Sequence, residues 1–196
     1  MPRHRGPLGA LLLLVALALV VGACGPAPAP SFSAEGPCDG DGRVAGTYPA
    51  LEALLPTAYE GRTPDTIDSG RTCTAGGLDV LADAGVTDLR FAGANWDLGS
   101  GRGLTFAVFQ GDGVTVDAMI AFYEDGARGA RRTEDLTTTE TTVAGRPARR
   151  LDVLWSQTGQ SIVAWPSEDG ERVNVLLAAD IGDARVAEAL ALFGNP

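Results

Sequence analysis

Between residues 89 and 177 apolar side chains recur at every second position in short runs, and each run is bounded by glycine, proline or polar turn residues. Leu89 and Phe91 alternate with Arg90 and Ala92. Leu104, Phe106 and Val108 alternate with Thr105, Ala107 and Phe109. Leu151, Val153 and Trp155 do so with Asp152 and Leu154; a further run covers Ile162 to Trp165, and Val173, Val175 and Leu177 make the last. A period of two is that of a β-strand, whose side chains point to opposite faces in turn. The connections are short: DLGSGRG at 97–103, AGRP at 144–147, SQTGQ at 156–160 and PSEDGE at 166–171. Turns of that length join antiparallel neighbours, because a parallel return needs a dozen or more residues.

Around these strands the spacing changes to that of helices. Leu51, Leu54 and Leu55 predict a short helix over 49–55 that Pro56 ends. Residues 62–71, RTPDTIDSGR, read as a polar loop. Thr74 is placed to cap a second helix, which carries Leu78, Leu81 and Ala82 and stops at Gly85. Thr115 caps a third, in which Val116, Met119, Ile120 and Tyr123 fall at i, i+3, i+4 and i+7. Residues 133–143 are threonine-rich and predict an edge strand. A last helix follows Asp183, buries Val186, Leu190 and Phe193, and stops at Gly194. Strands in runs rather than in strict alternation with helices predict an α+β fold. The expected architecture is a single domain over 38–196, with a mostly antiparallel sheet of about six strands and helices packed on one face.

The amino-terminal stretch has a different logic. Arg3 and Arg5 precede an unbroken apolar run over 11–21, too short for the ~18 to 20 residues that span a bilayer and of the right length for a secretory signal. The run ends in Val21, Gly22, Ala23 and Cys24, which resembles the lipobox of bacterial lipoproteins. The resemblance implies cleavage after residue 23, a diacylglyceryl group on the Cys24 thiol, and a protein held by its lipid at the extracytoplasmic face of a cell membrane. Two or more acyl chains anchor a protein stably, at about 0.8 kcal/mol per buried methylene. Residues 24–37 then form the lipidated cysteine and a proline- and alanine-rich tether. Farther on, GRPARRLD at 145–152 and its returning strand are similar to segments of uncharacterised envelope lipoproteins of GC-rich bacteria, a likeness that implies no activity.

Charge and residue usage narrow the function classes. Removing Arg3 and Arg5 from the 15 basic residues leaves 13 against 25 acidic ones, a formal charge of −12. An anionic surface disfavours nucleic acid as a partner. The one histidine, His4, lies in the signal segment, so the exported part lacks Ser-His-Asp and Cys-His chemistry and histidine metal ligands. Cys38 and Cys73 remain as an even pair in an exported chain and are expected to form a disulfide.

Three patterns invite a functional reading and fail on context. Asp39 and Asp41 open like a calcium loop, but Arg43, Val44 and Ala50 occupy its fifth, sixth and twelfth positions, so no metal site is expected. Gly99, Gly101 and Gly103 precede a strand, whereas a phosphate-cradling loop opens a helix, and no cofactor is expected. Carboxylates such as Glu124, Asp125 and Asp152 could serve a hydrolase only as an acid–base pair, and no spacing selects one. The expected function is therefore non-catalytic: binding or adaptor work at the envelope, with an unknown envelope protein as partner. The alternative is a carrier of a small apolar ligand between sheet and helices. Candidate contacts are Trp96, Trp155 and Trp165, as aromatic anchors or as core, and the basic cluster Arg128, Arg131 and Arg132, as an anion site or as complement to a helix's negative end.

Overall fold

The structure is a computed structural model and describes residues 33–131, 133–155 and 158–194. The candidate signal segment, Cys24, most of the tether and Arg132 lie outside the described residues. Eight strands form one sheet: β1 (Gly42–Val44), β2 (Thr66–Thr72), β3 (Leu89–Gly99), β4 (Arg102–Gln110), β5 (Thr133–Val143), β6 (Arg146–Trp155), β7 (Thr158–Pro166) and β8 (Arg172–Ala179). Their order is β1-β2-β3-β4-β8-β7-β6-β5, antiparallel throughout. Two four-stranded meanders thus lie side by side, joined where β4 pairs with β8. The helices are α1 (Pro49–Glu52), α2 (Ala75–Leu78), α3 (Val80–Asp83), α4 (Val116–Gly129) and α5 (Asp183–Phe193). Helix α4 carries the chain from β4, in the middle of the sheet, to β5 at its far edge.

The α+β class and the antiparallel sheet agree with the periodicity, and the strand count is eight rather than about six. The two extra strands are β1 and β2, the latter inside the stretch expected to be a loop. Strand β2 has one large apolar residue, Ile67, and that residue is 40 % exposed. Its buried positions are Ser69, Gly70 and Arg71, so its place in the sheet rests on polar partners instead of an apolar stripe. The Ser69 hydroxyl accepts from the Tyr48 amide at 2.8 Å and donates to Glu52 at 2.7 Å. At Gly70 a Cβ would sit 2.7 Å from the Phe91 ring, so only glycine fits between β1 and β3.

Helices cover both faces of the sheet, which corrects the expectation of one. On one face α1 and α5 pack over Trp96, Phe106, Val163, Trp165 and Leu176; on the other α2, α3 and α4 pack over Leu89, Phe109, Leu151, Ile162 and Val175. The cause is visible in β8, where four consecutive residues, Val173 to Leu176, are all buried. A strand with one solvated face alternates, and a strand covered on both faces does not. Asn174 is the polar member of that run and is 1 % exposed.

Local chemistry ends the elements where it should. The hairpin between β3 and β4 turns at Ser100 and Gly101, with φ of 57° and 77°, the left-handed pair that suits the twist of the strands. Thr115 caps α4 by accepting from the Ala118 amide at 3.1 Å. The helix expected after Thr74 breaks in two at Asp79, and Leu78 and Leu81 are both buried in the core. Cys38 and Cys73 are disulfide-bonded, with their Cα atoms 6.2 Å apart. Among the described residues no helix is long and apolar enough to cross a membrane.

Candidate functional site

The aromatic cleft of this domain lies on the α4 face. Its wall is the second half of α4, with Phe122, Tyr123 and Ala127; its rim is the α2–α3 junction, with Gly77 and Asp79; its floor is Trp155, Gln160, Ile162 and Leu177 from three neighbouring strands. The volume is ≈ 450 Å³, within the range of ligand pockets. Two features of the sequence create it. Gly76 leaves open space at the rim, where a Cβ would meet nothing within 4 Å, and Gly77 lets the backbone pass close to Asp41, whose carboxylate an added Cβ would strike. The register of β6, β7 and β8 turns Trp155, Ile162 and Leu177 to the same face as the core residues Val153, Ala164 and Val175.

The aromatic walls are held in place. The Trp155 indole N–H donates to the Thr133 hydroxyl at 2.7 Å, and that hydroxyl donates in turn to the Ala127 carbonyl at 2.5 Å. The relay ties the indole to the end of α4 and satisfies its polar edge, leaving the ring to line the cleft. Phe122 and Tyr123 meet edge to face, centroids 5.6 Å apart. Burial pushes the Tyr123 phenol well above its usual range. Asp79, on the rim, is the one residue of the lining that carries a formal charge. Its backbone has φ 49° and ψ −127°, a region that residues other than glycine enter only under strain.

The sequence-predicted residues separate. Trp155 is part of the cleft. Trp96 and Trp165 are both fully buried, which removes them as partner contacts: Trp96 stacks on Phe193 at 5.6 Å, and Trp165 packs against Phe106 at 5.9 Å. Arg128 is exposed and pairs with Glu124 one turn earlier on α4, so that part of the basic cluster is neutralised locally. Arg131 is exposed and at the surface beyond α4. Phe122, Asp79, Gln160 and Leu177 did not stand out in the sequence. Phe122 carried the nearest thing to a signal, since it widens the apolar face of α4 beyond the i, i+3, i+4 stripe.

Two other hollows have different characters. One of ≈ 490 Å³ opens beside the start of α5 and is polar: Arg150 donates to Asp152 at 2.9 Å, to Ser161 at 3.0 Å and to Asp183 at 2.5 Å. That guanidinium ties Asp152 and Asp183 together, and Asp135 and Asp180 also line the hollow. Another of ≈ 730 Å³, beside β5 and the start of α4, has no aromatic side chain, and Arg149 pairs with Asp117 across it at 3.2 Å. Among the described residues no group of three or more His, Cys, Asp or Glu side chains is placed to hold a metal ion.

No family model matches the chain, and no curated protein matches its sequence.

Proposed function

We propose that this chain is an extracytoplasmic lipoprotein, anchored to a cell membrane through Cys24, whose folded domain binds a small and largely apolar ligand in the cleft between α4, α2 and the sheet. The observation that carries the reading is the cleft itself: three aromatic side chains, Ile162 and Leu177 line an open hollow of ≈ 450 Å³ with few polar groups. The lipid anchor is supported by the signal pattern and the lipobox-like residues 21–24. Binding without catalysis is favoured because every candidate acid named from the sequence is exposed, hydrogen-bonded or ion-paired.

One observation favours a second reading, that of a protein adaptor. Leu192 on α5 is 58 % exposed beside a hollow of ≈ 430 Å³ that Leu54 and Pro56 also line. Isolated exposed leucines are common on protein surfaces, so the aromatic cleft has the greater weight.

Mass spectrometry of the protein extracted from its own membrane tests both halves of the proposal. The denatured chain should carry acyl mass that Cys24→Ser abolishes, and an unacylated wild-type chain overturns the anchor. Under native conditions a few hundred daltons of additional mass, lost on obstructing the cleft with Gly76→Trp, whose added Cβ would meet nothing within 4 Å, is the expected result. A native mass equal to the denatured one overturns the ligand, and an additional whole protein supports the adaptor instead.

A further inference from the structure

The charge pattern of the cleft restricts the ligand further. Asp79 is its single formally charged residue, and its carboxylate has no hydrogen-bond or ion-pair partner among the described residues. No arginine lines the cleft, although the chain has 15 of them and most of those described are paired with carboxylates elsewhere. The faces of Phe122, Tyr123 and Trp155 are regions of negative potential that attract cations. The whole chain is anionic, with a formal charge of −10, and a cleft lined by one sign concentrates that field.

Resting on the cleft reading above, we infer that this site selects an organic cation: an amine or quaternary ammonium group on an apolar body, the body lying on Ile162 and Leu177 and the cationic end between the aromatic rings and Asp79. An anionic amphiphile such as a fatty acid would enter the same volume against a negative potential, with no guanidinium to meet its carboxylate. Neutral molecules of the same shape would bind through the apolar floor alone.

The test uses the full-length lipidated protein in nanodiscs of zwitterionic lipid, with empty nanodiscs as the blank. Because Trp96 and Trp165 are sequestered in the core, Trp155 is the tryptophan that reports on the cleft, and Trp155→Phe serves as the signal control. Three probes with one body are titrated: benzyltrimethylammonium, benzyl alcohol and phenylmethanesulfonate. The cation should bind roughly tenfold more tightly than the alcohol, as expected for one cation–π contact added to a partly exposed ion pair, and the sulfonate more weakly than either. Asp79→Asn, which keeps a residue tolerant of positive φ, should bring the cation within about threefold of the alcohol and leave the alcohol unchanged. Phe122→Ala should weaken all three.

Equal affinity for cation and sulfonate overturns the inference, and so does a roughly tenfold advantage of the cation that survives Asp79→Asn undiminished. If the alcohol binds and the cation has no advantage, the selectivity fails while the cleft stands. If no probe alters Trp155 emission, the cleft reading fails with it.

Discussion

Arg71 and Asp88 meet through two parallel bonds, Nε to Oδ1 at 2.7 Å and Nη2 to Oδ2 at 2.8 Å, although 17 residues separate them in the chain. The Arg71 side chain is 7 % exposed and also donates to the Gly36 carbonyl at 3.0 Å. One guanidinium on β2 therefore holds the loop before β3 and the residues just before Cys38. A buried arginine is tolerable only with its carboxylate in place.

Asp88→Ala should for that reason destabilise the domain by about 3 kcal/mol, the lower end for breaking a buried pair because Asp88 itself is partly exposed. Replacing both partners by apolar residues, Arg71→Met with Asp88→Leu, should cost less than Asp88→Ala alone, since no uncompensated charge remains. Urea unfolding of the three variants checks this, and a double variant less stable than Asp88→Ala would contradict it.

Acid should loosen the junction between β1 and α2. Burial acts first on Asp41 and pushes its carboxyl upward, but the Thr74 hydroxyl, the Thr74 amide and the Cys73 amide all donate to it and bring the net value below 3.8. A carboxylate lowered in the folded state contributes stability above its unfolded value and loses that contribution as pH falls through the folded one. Asp41→Ala should therefore be about 1 kcal/mol less stable than wild type at pH 7, the ordinary worth of a helix-capping acceptor. The difference should narrow steadily below about pH 4. Denaturation curves at pH 7, 5 and 3 measure it; a gap that stays constant to pH 3 would remove Asp41 from the acid response.

The Cys38–Cys73 bond closes a loop across 35 residues of sequence. By chain entropy it should contribute about 3 to 4 kcal/mol, and the Cys38→Ser, Cys73→Ser double variant should unfold at correspondingly lower urea. Asp41 and the disulfide hold the same start of α2, so Asp41→Ala should cost less in that background than in the bonded protein. Strictly additive losses would show that the two contacts act on separate parts of the fold.

Much of the sheet was readable before any coordinates. Leu104, Phe106 and Val108 announced β4 by their period, Gly99 to Gly103 announced a hairpin instead of a phosphate loop, and Thr115 announced the first turn of α4. What these share is range: each is settled by residues within a few positions of one another, where backbone sterics and side-chain alternation dominate. The reading of one covered face failed on the same strands, because it followed Val173, Val175 and Leu177 and passed over Leu176 and Ala178 between them.

The cleft was not readable, and the reason is physical. Its walls come from α4, from the broken turn at Asp79 and from three strands, and nothing local distinguishes an aromatic residue that lines a space from one that fills the core. Trp96 and Trp165 have the same residue type and the same alternating surroundings as Trp155, yet Phe193 and Phe106 cover the first two, while the third lines the cleft beside the end of α4.

By itself, then, the amino-acid sequence determined the class of fold, the existence of six of the strands and the pairing of the cysteines, because periodicity, turn chemistry and composition act along the chain. The tertiary structure alone decided that both faces of the sheet are covered, that a polar segment such as β2 joins it, and where a space remains. Those outcomes depend on partners 17 to 21 residues apart, such as Arg71 with Asp88 and Ser69 with Tyr48, whose meeting is specified by packing and not by neighbours in the chain.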